Sequence, residues 1–139
     1  ADAVIDSSRE DFVERIHQLT LGAGVDLVFD PVGGEVFNRS LSCLNFGGRL
    51  LAIGFASGAW SDASTQDLVL NNRSVIGVLA VVPTPEMSQA MQDELFVMYK
   101  QGKITPHVES TRSFRELPAA LADLEKRRII GRSAILMAR

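Results

Sequence analysis

The sequence predicts an α/β fold in which a parallel sheet carries helices on both faces. Short apolar runs rich in β-branched residues alternate with amphipathic segments along the chain, the pattern of strands joined by helical crossovers. Two of these runs, 25–30 and 49–53, lead into turns of small residues, as parallel strands do at their carboxyl ends. With 139 residues, 46% of them hydrophobic and 22% charged, the chain is long enough to bury one core.

Four strands and three helices are predicted in residues 1–82. Phe12, Ile16 and Leu19 recur at the spacing of one helix face, which predicts the first helix. Ser8 stands three residues before Asp11, the spacing of a capping box at its start. Glycine and proline residues separate the elements that follow. The predicted strands are 3–6, 25–30, 49–53 and 75–82, and the predicted helices are 9–20, 35–44 and 66–71.

The same alternation continues in residues 85–139. Pro118 suits the first turn of the last predicted helix. Met87, Met91 and Met98 recur on one face of the predicted helix 85–102, a stripe typical of a core or a subunit interface, and Leu95 lies on the same face. The predicted helices are 85–102 and 117–128, and the predicted strands are 107–114 and 133–137.

Charge and cysteine content exclude several classes of function. The chain has 14 lysines and arginines against 17 aspartates and glutamates, and its longest basic cluster, Lys126–Arg128, is predicted to be a solvated helix end. We therefore expect neither a nucleic-acid partner nor an acidic membrane partner. The single cysteine, Cys43, has no partner for an internal disulfide and is interpreted as a buried apolar thiol. This usage and the lack of a secretory signal pattern favour the cytoplasm.

Two turns of small residues are the candidate ligand-binding features. Asp30–Gly34 and Gly54–Gly58 each follow a predicted strand, so both turns should lie at the carboxyl edge of one parallel sheet. Such glycine turns are also the general connection of α/β proteins, and packing explains Phe55 as well as a ligand contact does. His17 and His107 are interpreted as structural, because neither has the partners of a hydrolytic triad at readable spacing.

A set of short motifs occurs in order along the chain. They are Asp2–Asp6, Arg9–Phe12, Asp30–Gly34, Gly47–Leu50, Ile53–Gly58, Ser74–Val78, Gly102–Ile104, Pro106–Val108 and Gly131–Leu136. Together they resemble the quinone oxidoreductase branch of the medium-chain dehydrogenase/reductase superfamily, the zeta-crystallin-like reductases, over nearly the whole chain. The pattern Phe55–Gly58 favours the branch that uses no zinc, so no metal site is expected.

The resemblance implies an incomplete Rossmann-type sheet over about 1–106. It further implies a return over about 107–139 to the GroES-like catalytic domain, which the last strand joins in relatives. The N-terminal catalytic region and the Gly-rich turn G-x-G-x-x-G, which precede this part in the family, have no match in the chain. We therefore expect a C-terminal part of a longer enzyme. The sheet should have an exposed edge at strand 3–6, strand 133–137 should lack its catalytic-domain partner, and both edges should promote association.

The resemblance also assigns a nicotinamide cofactor, NADPH with NADH left open, and no catalytic side chain. Contacts to the nicotinamide ribose and phosphate are expected from Phe55, Ala56 and Ser57. The carboxamide is expected near Val78, Leu79 and Ala80, and the adenosine side near Pro31, Val32 and Gly33. Arg127 is expected to contact a phosphate.

Hydride transfer from NADPH to a quinone or to an activated alkene or carbonyl is the activity that the resemblance implies. Three hypotheses follow from it. The chain is the C-terminal piece of one oxidoreductase, or a product that assembles with a separate N-terminal polypeptide or with itself, or a non-catalytic Rossmann-like remnant that oligomerises.

Overall fold

The computed structural model describes residues 1–79 and 84–137 and confirms the α/β prediction. Every strand pairing in this part of the chain is parallel. The helices are α1 (Phe12–Leu19), α2 (Glu35–Ser42), α3 (Thr65–Leu70), α4 (Pro85–Lys100) and α5 (Leu117–Glu125), with a turn of 3-10 helix at Phe114–Glu116. The strands are β1 (Val25–Asp30), β2 (Leu44–Ala52), β3 (Ser74–Gly77), β4 (Val108–Ser113) and β5 (Arg132–Leu136). Two compact units result, Ala1–Val81 and Val82–Arg139.

The first unit contains a three-stranded sheet in the order β1-β2-β3. Asp30 lies beside Ala52, and Ala52 lies beside Gly77, so the last residues of the three strands form one row. The segments that follow these strands therefore begin at the same edge of the sheet, as parallel strands require.

A small core lies on one face of this sheet. Val28, Leu50 and Val75 occupy one row across the three strands, and Leu50 is fully buried. Phe37 and Leu41, four residues apart on α2, close over that row. Cys43 follows α2 and is fully buried, as expected, and burial raises the pKa of its thiol.

Asp11, rather than Ser8, caps the first helix. Its Oδ1 accepts hydrogen bonds from the N–H groups of Val13 at 2.9 Å and Glu14 at 3.1 Å. These bonds, led by the one from Glu14 and assisted by Arg39, hold the pKa of Asp11 below its usual range. Ser8 instead donates its N–H to Asp6 Oδ1 at 3.0 Å, and α1 therefore begins later than the predicted residue 9.

The predicted strand over residues 3–6 is wrong. No strand forms there, and Val4 is 87% exposed. The Asp6 carbonyl accepts the Arg9 N–H at 2.9 Å, so the chain turns where the strand would continue. No strand of the described residues pairs with this run, so no ladder holds it extended.

The second strand of the sheet begins earlier than predicted. Leu44 already pairs with Val25, and the ladder then shifts register before Leu27 pairs with Arg49. Gly47 and its neighbours, which the pattern indicates as a turn, instead form an irregular bulge inside β2. Burial of Leu44, which is 2% exposed, holds this early start in place.

In the second unit β4 and β5 form a parallel pair. Because this pairing lies within the chain, the expectation that the last strand lacks its catalytic-domain partner stays a prediction. Thr111 lies beside Ala134, and the hydroxyls of Ser110 and Ser133 are 2.9 Å apart. Helix α5 makes the crossover that parallel strands need, so the pair is built within one short stretch of sequence.

Helix α4 has the predicted apolar stripe, but none of its residues is buried. Met87, Met91 and Leu95 are about half exposed, at 50%, 49% and 47%. In the part of the chain that is described, no helix combines the length and apolarity needed to cross a bilayer.

Candidate functional site

Three segments meet at the carboxyl edge of the three-stranded sheet. They are the turn 31–34 after β1, the turn 53–58 after β2 and residues 78–79 after β3, and we call them together the strand-end edge. Ile53 donates its N–H to Asp30 O at 2.9 Å, and Val78 donates its N–H to Ala52 O at 2.9 Å. The three segments therefore leave the sheet side by side.

The side chain of Asp30 stabilises the turn 31–34 through hydrogen bonds to its backbone. Its Oδ1 accepts hydrogen bonds from the N–H groups of Val32 at 2.8 Å and Gly33 at 3.0 Å. The side chain is nearly inaccessible, with 3% of the residue exposed. Its other oxygen, Oδ2, is buried and has no hydrogen-bond partner among the described residues.

Backbone hydrogen bonds join the first turn to the second. Pro31 O accepts the Ala56 N–H at 3.2 Å, and Val32 O accepts the Ser57 N–H at 2.9 Å. Six of the predicted cofactor residues are thereby brought together, namely Pro31, Val32, Gly33, Phe55, Ala56 and Ser57.

Gly33 is required where the two turns touch. Its φ of +70° is a left-handed conformation, and a Cβ there would lie 3.1 Å from both Gly54 O and Ala59 O. Gly58 also has a positive φ, +83°, but a Cβ there would meet no atom of the described residues within 4 Å. At the strand-end edge, the backbone around Gly33 therefore packs closely against the second turn, whereas the backbone at Gly58 has open space beside it.

An aromatic pair in this site was not predicted. The rings of Phe55 and Trp60 have centroids 4.3 Å apart and planes tilted by 30°. Ser61, also not predicted, donates its hydroxyl to Gly34 O at 2.8 Å. No predicted site residue lies in 59–65, although the one tryptophan of the sequence, in this segment, was an available signal.

The other four predicted cofactor residues lie outside the two hydrogen-bonded turns. Val78 and Leu79 follow β3 at the strand-end edge and are 37% and 80% exposed. Ala80 lies outside the described residues. Arg127 belongs to the second unit, where it follows α5 in a left-handed conformation with φ of 54° and donates its N–H to Leu124 O at 3.0 Å.

The chemistry that the strand-end edge offers is that of a binding surface. It presents backbone groups, the Ser57 hydroxyl, an exposed aromatic pair and the buried carboxylate of Asp30. Within residues 1–79 and 84–137, no three His, Cys, Asp or Glu side chains converge as metal ligands would. These groups can orient a ligand, and none is positioned as the nucleophile of a triad.

Comparisons with known proteins agree with this architecture. The family profile described as "Zinc-binding dehydrogenase" matches residues 1–135. A quinone oxidoreductase of Pseudomonas aeruginosa is 32% identical over 137 residues, which are 95% of this chain and 42% of that protein. A 2-haloacrylate reductase of Burkholderia sp. is 30% identical over 141 residues, covering 95% of this chain and 41% of that protein.

Solved structures show the same likeness. The crystal structure of Escherichia coli quinone oxidoreductase complexed with NADPH superposes with a TM-score of 0.78 at 29% identity. It covers 96% of this chain, which corresponds to 42% of that protein. The chain thus spans about two-fifths of the length of the curated relatives that it matches.

Proposed function

Because the chain belongs to the zinc-binding dehydrogenase family, we propose that its strand-end edge binds the nicotinamide half of NADPH in an oxidoreductase that reduces a quinone or an activated alkene or carbonyl. The observation that carries this proposal is the pair of turns hydrogen-bonded to each other at the in-register ends of β1 and β2. Crevices beyond the carboxyl ends of parallel strands are where open α/β sheets bind ligands. A relative with the same fold, from Escherichia coli, was solved with NADPH.

The strand-end edge fits such a cofactor. The turn 55–58 exposes its side chains, and the open space at Gly58 leaves its backbone accessible to a ligand. The buried Asp30 Oδ2 is an acceptor that no described residue uses, and a ribose hydroxyl is a donor that would satisfy it.

Each segment has a role in the proposal. Ser57 hydrogen-bonds the nicotinamide ribose or its phosphate, and the turn 31–33 lies on the adenosine side. The backbone of Val78 and Leu79 orients the carboxamide. The contact of Arg127 with a phosphate stays a separate prediction for the second unit. The chemistry supplied by bound NADPH is a hydride, which with one proton from solvent converts a quinone to a hydroquinone and leaves NADP⁺. The residues of this chain need only bind and orient, since no protein acid is required.

A zinc ion does not fit the described part of the chain. No three potential ligands converge in residues 1–79 and 84–137, and the buried Cys43 stands in none of the segments of the strand-end edge. The proposal therefore uses no metal in any step.

Calorimetric titration of the purified chain with NADPH and, separately, NADH tests this function. We expect saturable binding, and at 100 times Kd the cofactor should raise the free energy of unfolding by about 2.7 kcal/mol. The ratio of the two dissociation constants identifies the preferred cofactor. Absence of binding by a chain with a folded far-UV spectrum would contradict the proposal and favour the non-catalytic alternative.

We also propose that the chain associates through α4, either with a second copy or with a separate polypeptide equivalent to the rest of its relatives. Exposed apolar side chains of α4 border a groove of about 400 Å³ lined by Leu95, Phe96, Tyr99, Ile104 and Pro106. Burying such a groove removes apolar surface from water, which is the main drive for association.

Sedimentation at micromolar concentration should therefore show a dimer of the chain alone. Leu95→Lys places a charge in the groove and is expected to shift the population to monomer. Gln89→Lys adds the same charge to α4 at a residue that does not line the groove, and it should leave the dimer intact. A wild-type chain that sediments as a monomer would contradict association with a second copy.

A further inference from the structure

The aromatic pair at the strand-end edge exposes much of its surface. Trp60 is 78% exposed and Phe55 is 48% exposed, although their rings lie 4.3 Å apart at centroid. Phe55 thus covers only part of the indole, and most of Trp60 remains in contact with water. Large aromatic surface left exposed beside a built turn is typical of a place where a flat ligand binds.

The backbone that carries Trp60 is held on both sides. Ala59 donates its N–H to Ser57 Oγ at 3.3 Å, and Ser61 Oγ donates to Gly34 O at 2.8 Å. The close packing of Ala59 O at Gly33 fixes the same loop on the first turn. Because the loop is already ordered, a ligand that stacks there loses little affinity to ordering the protein.

From this arrangement, and resting on the function proposed above, we propose that Trp60, supported by Phe55, is a stacking platform that selects flat conjugated electron acceptors of the quinone class. Phe55 lies in the turn 53–58 that follows β2, so the platform belongs to the strand-end edge proposed to hold the nicotinamide. The electron-rich face of an indole stacks favourably on an electron-poor planar ring. A small aliphatic enone has no such ring and gains less from Trp60. The platform is therefore a determinant of acceptor specificity.

The direct test is binding of menadione, a flat bicyclic quinone, measured by calorimetry with and without saturating NADP⁺. We expect Trp60→Leu to weaken menadione binding about tenfold, because the variant loses one aromatic stacking contact and the area buried in it. Trp60→Phe should retain affinity within about threefold, because a ring remains in place. Binding of the aliphatic enone cyclohexenone should change less than about twofold in either variant.

Phe46→Leu is the matched control. Phe46 is 75% exposed, close to the value for Trp60, but it lies near the start of β2 rather than at its carboxyl end. Its replacement should leave menadione binding unchanged. Since Trp60 is the one tryptophan of the sequence, saturable quenching of its fluorescence by menadione provides a second readout in the wild type.

Separate outcomes distinguish this inference from the function on which it rests. NADPH affinity that is unchanged in Trp60→Leu, with menadione affinity lost, supports the platform. Equal losses for NADPH and menadione would overturn it, because the indole would then serve the cofactor. The platform proposal would also be overturned if menadione did not bind, even where NADPH binds. The same holds if menadione quenched the fluorescence of Trp60 linearly with concentration and without saturation. Absence of NADPH binding counts against the proposed function alone.

Discussion

Replacing Gly24 with alanine is expected to lower the free energy of unfolding by about 3 kcal/mol. Gly24 has a φ of +82°, and a Cβ there would lie 2.6 Å from Cys43 O and 2.9 Å from Asn45 N. Both are backbone atoms, one just before β2 and one near its start, so they cannot rotate away as a flexible side chain would. The substitution therefore forces β1 and β2 apart where their pairing begins.

Gly22→Ala is the matched control for this variant. Gly22 has nearly the same φ, +84°, but a Cβ added there would meet no atom of the described residues within 4 Å. Its free energy of unfolding should fall by only about 1 kcal/mol, the cost of holding alanine at a positive φ. Urea unfolding followed by far-UV circular dichroism measures both free energies. If both variants lost the same free energy of unfolding, the predicted clash between the added Cβ and β2 would be contradicted.

Gly33→Ala is expected to weaken NADPH binding by at least about tenfold, which corresponds to ~1.4 kcal/mol. A Cβ at Gly33 would lie 3.1 Å from Gly54 O and Ala59 O and 3.2 Å from Phe55 Cα. The turn 53–58 must shift to admit it, and the hydrogen bond between Ala56 and Pro31 is then strained. Calorimetric titration with NADPH, on protein shown to be folded, measures the effect.

Gly102→Ala separates backbone strain from damage to the site. Its φ of +69° matches that of Gly33, an added Cβ would have no described atom within 4 Å, and it belongs to the second unit. The variant should lose stability by about 1 kcal/mol and keep its NADPH affinity. A folded Gly33→Ala chain with unchanged NADPH affinity would contradict the assignment of the strand-end edge as the cofactor site.

Some elements were predictable because their signals are adjacent in sequence. The bounds of β1 are confirmed at both ends, since a glycine precedes its apolar run and Pro31 follows it. The helices α2, α4 and α5 occur where their patterns place them and end two or three residues earlier than predicted. Local periodicity identifies a helix more reliably than it identifies the last turn.

Other elements depended on residues far away along the chain. The run 3–6 has the composition of a strand, but it pairs with no strand of the described residues and forms none. Leu44 begins β2 because it is buried in the core, although Gly47 indicates a turn nearby. The pairing of β5 with β4 likewise depends on α5 returning the chain across the sheet. Composition alone does not report such partners.

Local sequence patterns were sufficient to establish the α/β class, the family resemblance and the two small-residue turns that form most of the candidate site. Three-dimensional packing was needed to show that Asp30, Ala52 and Gly77 end in one row, that Gly33 meets the loop at Ala59, and that Trp60 stacks on Phe55. The difference arises from strand register. Local patterns specify the period of each element, whereas the register between strands is chosen by burial and pairing across the whole sheet.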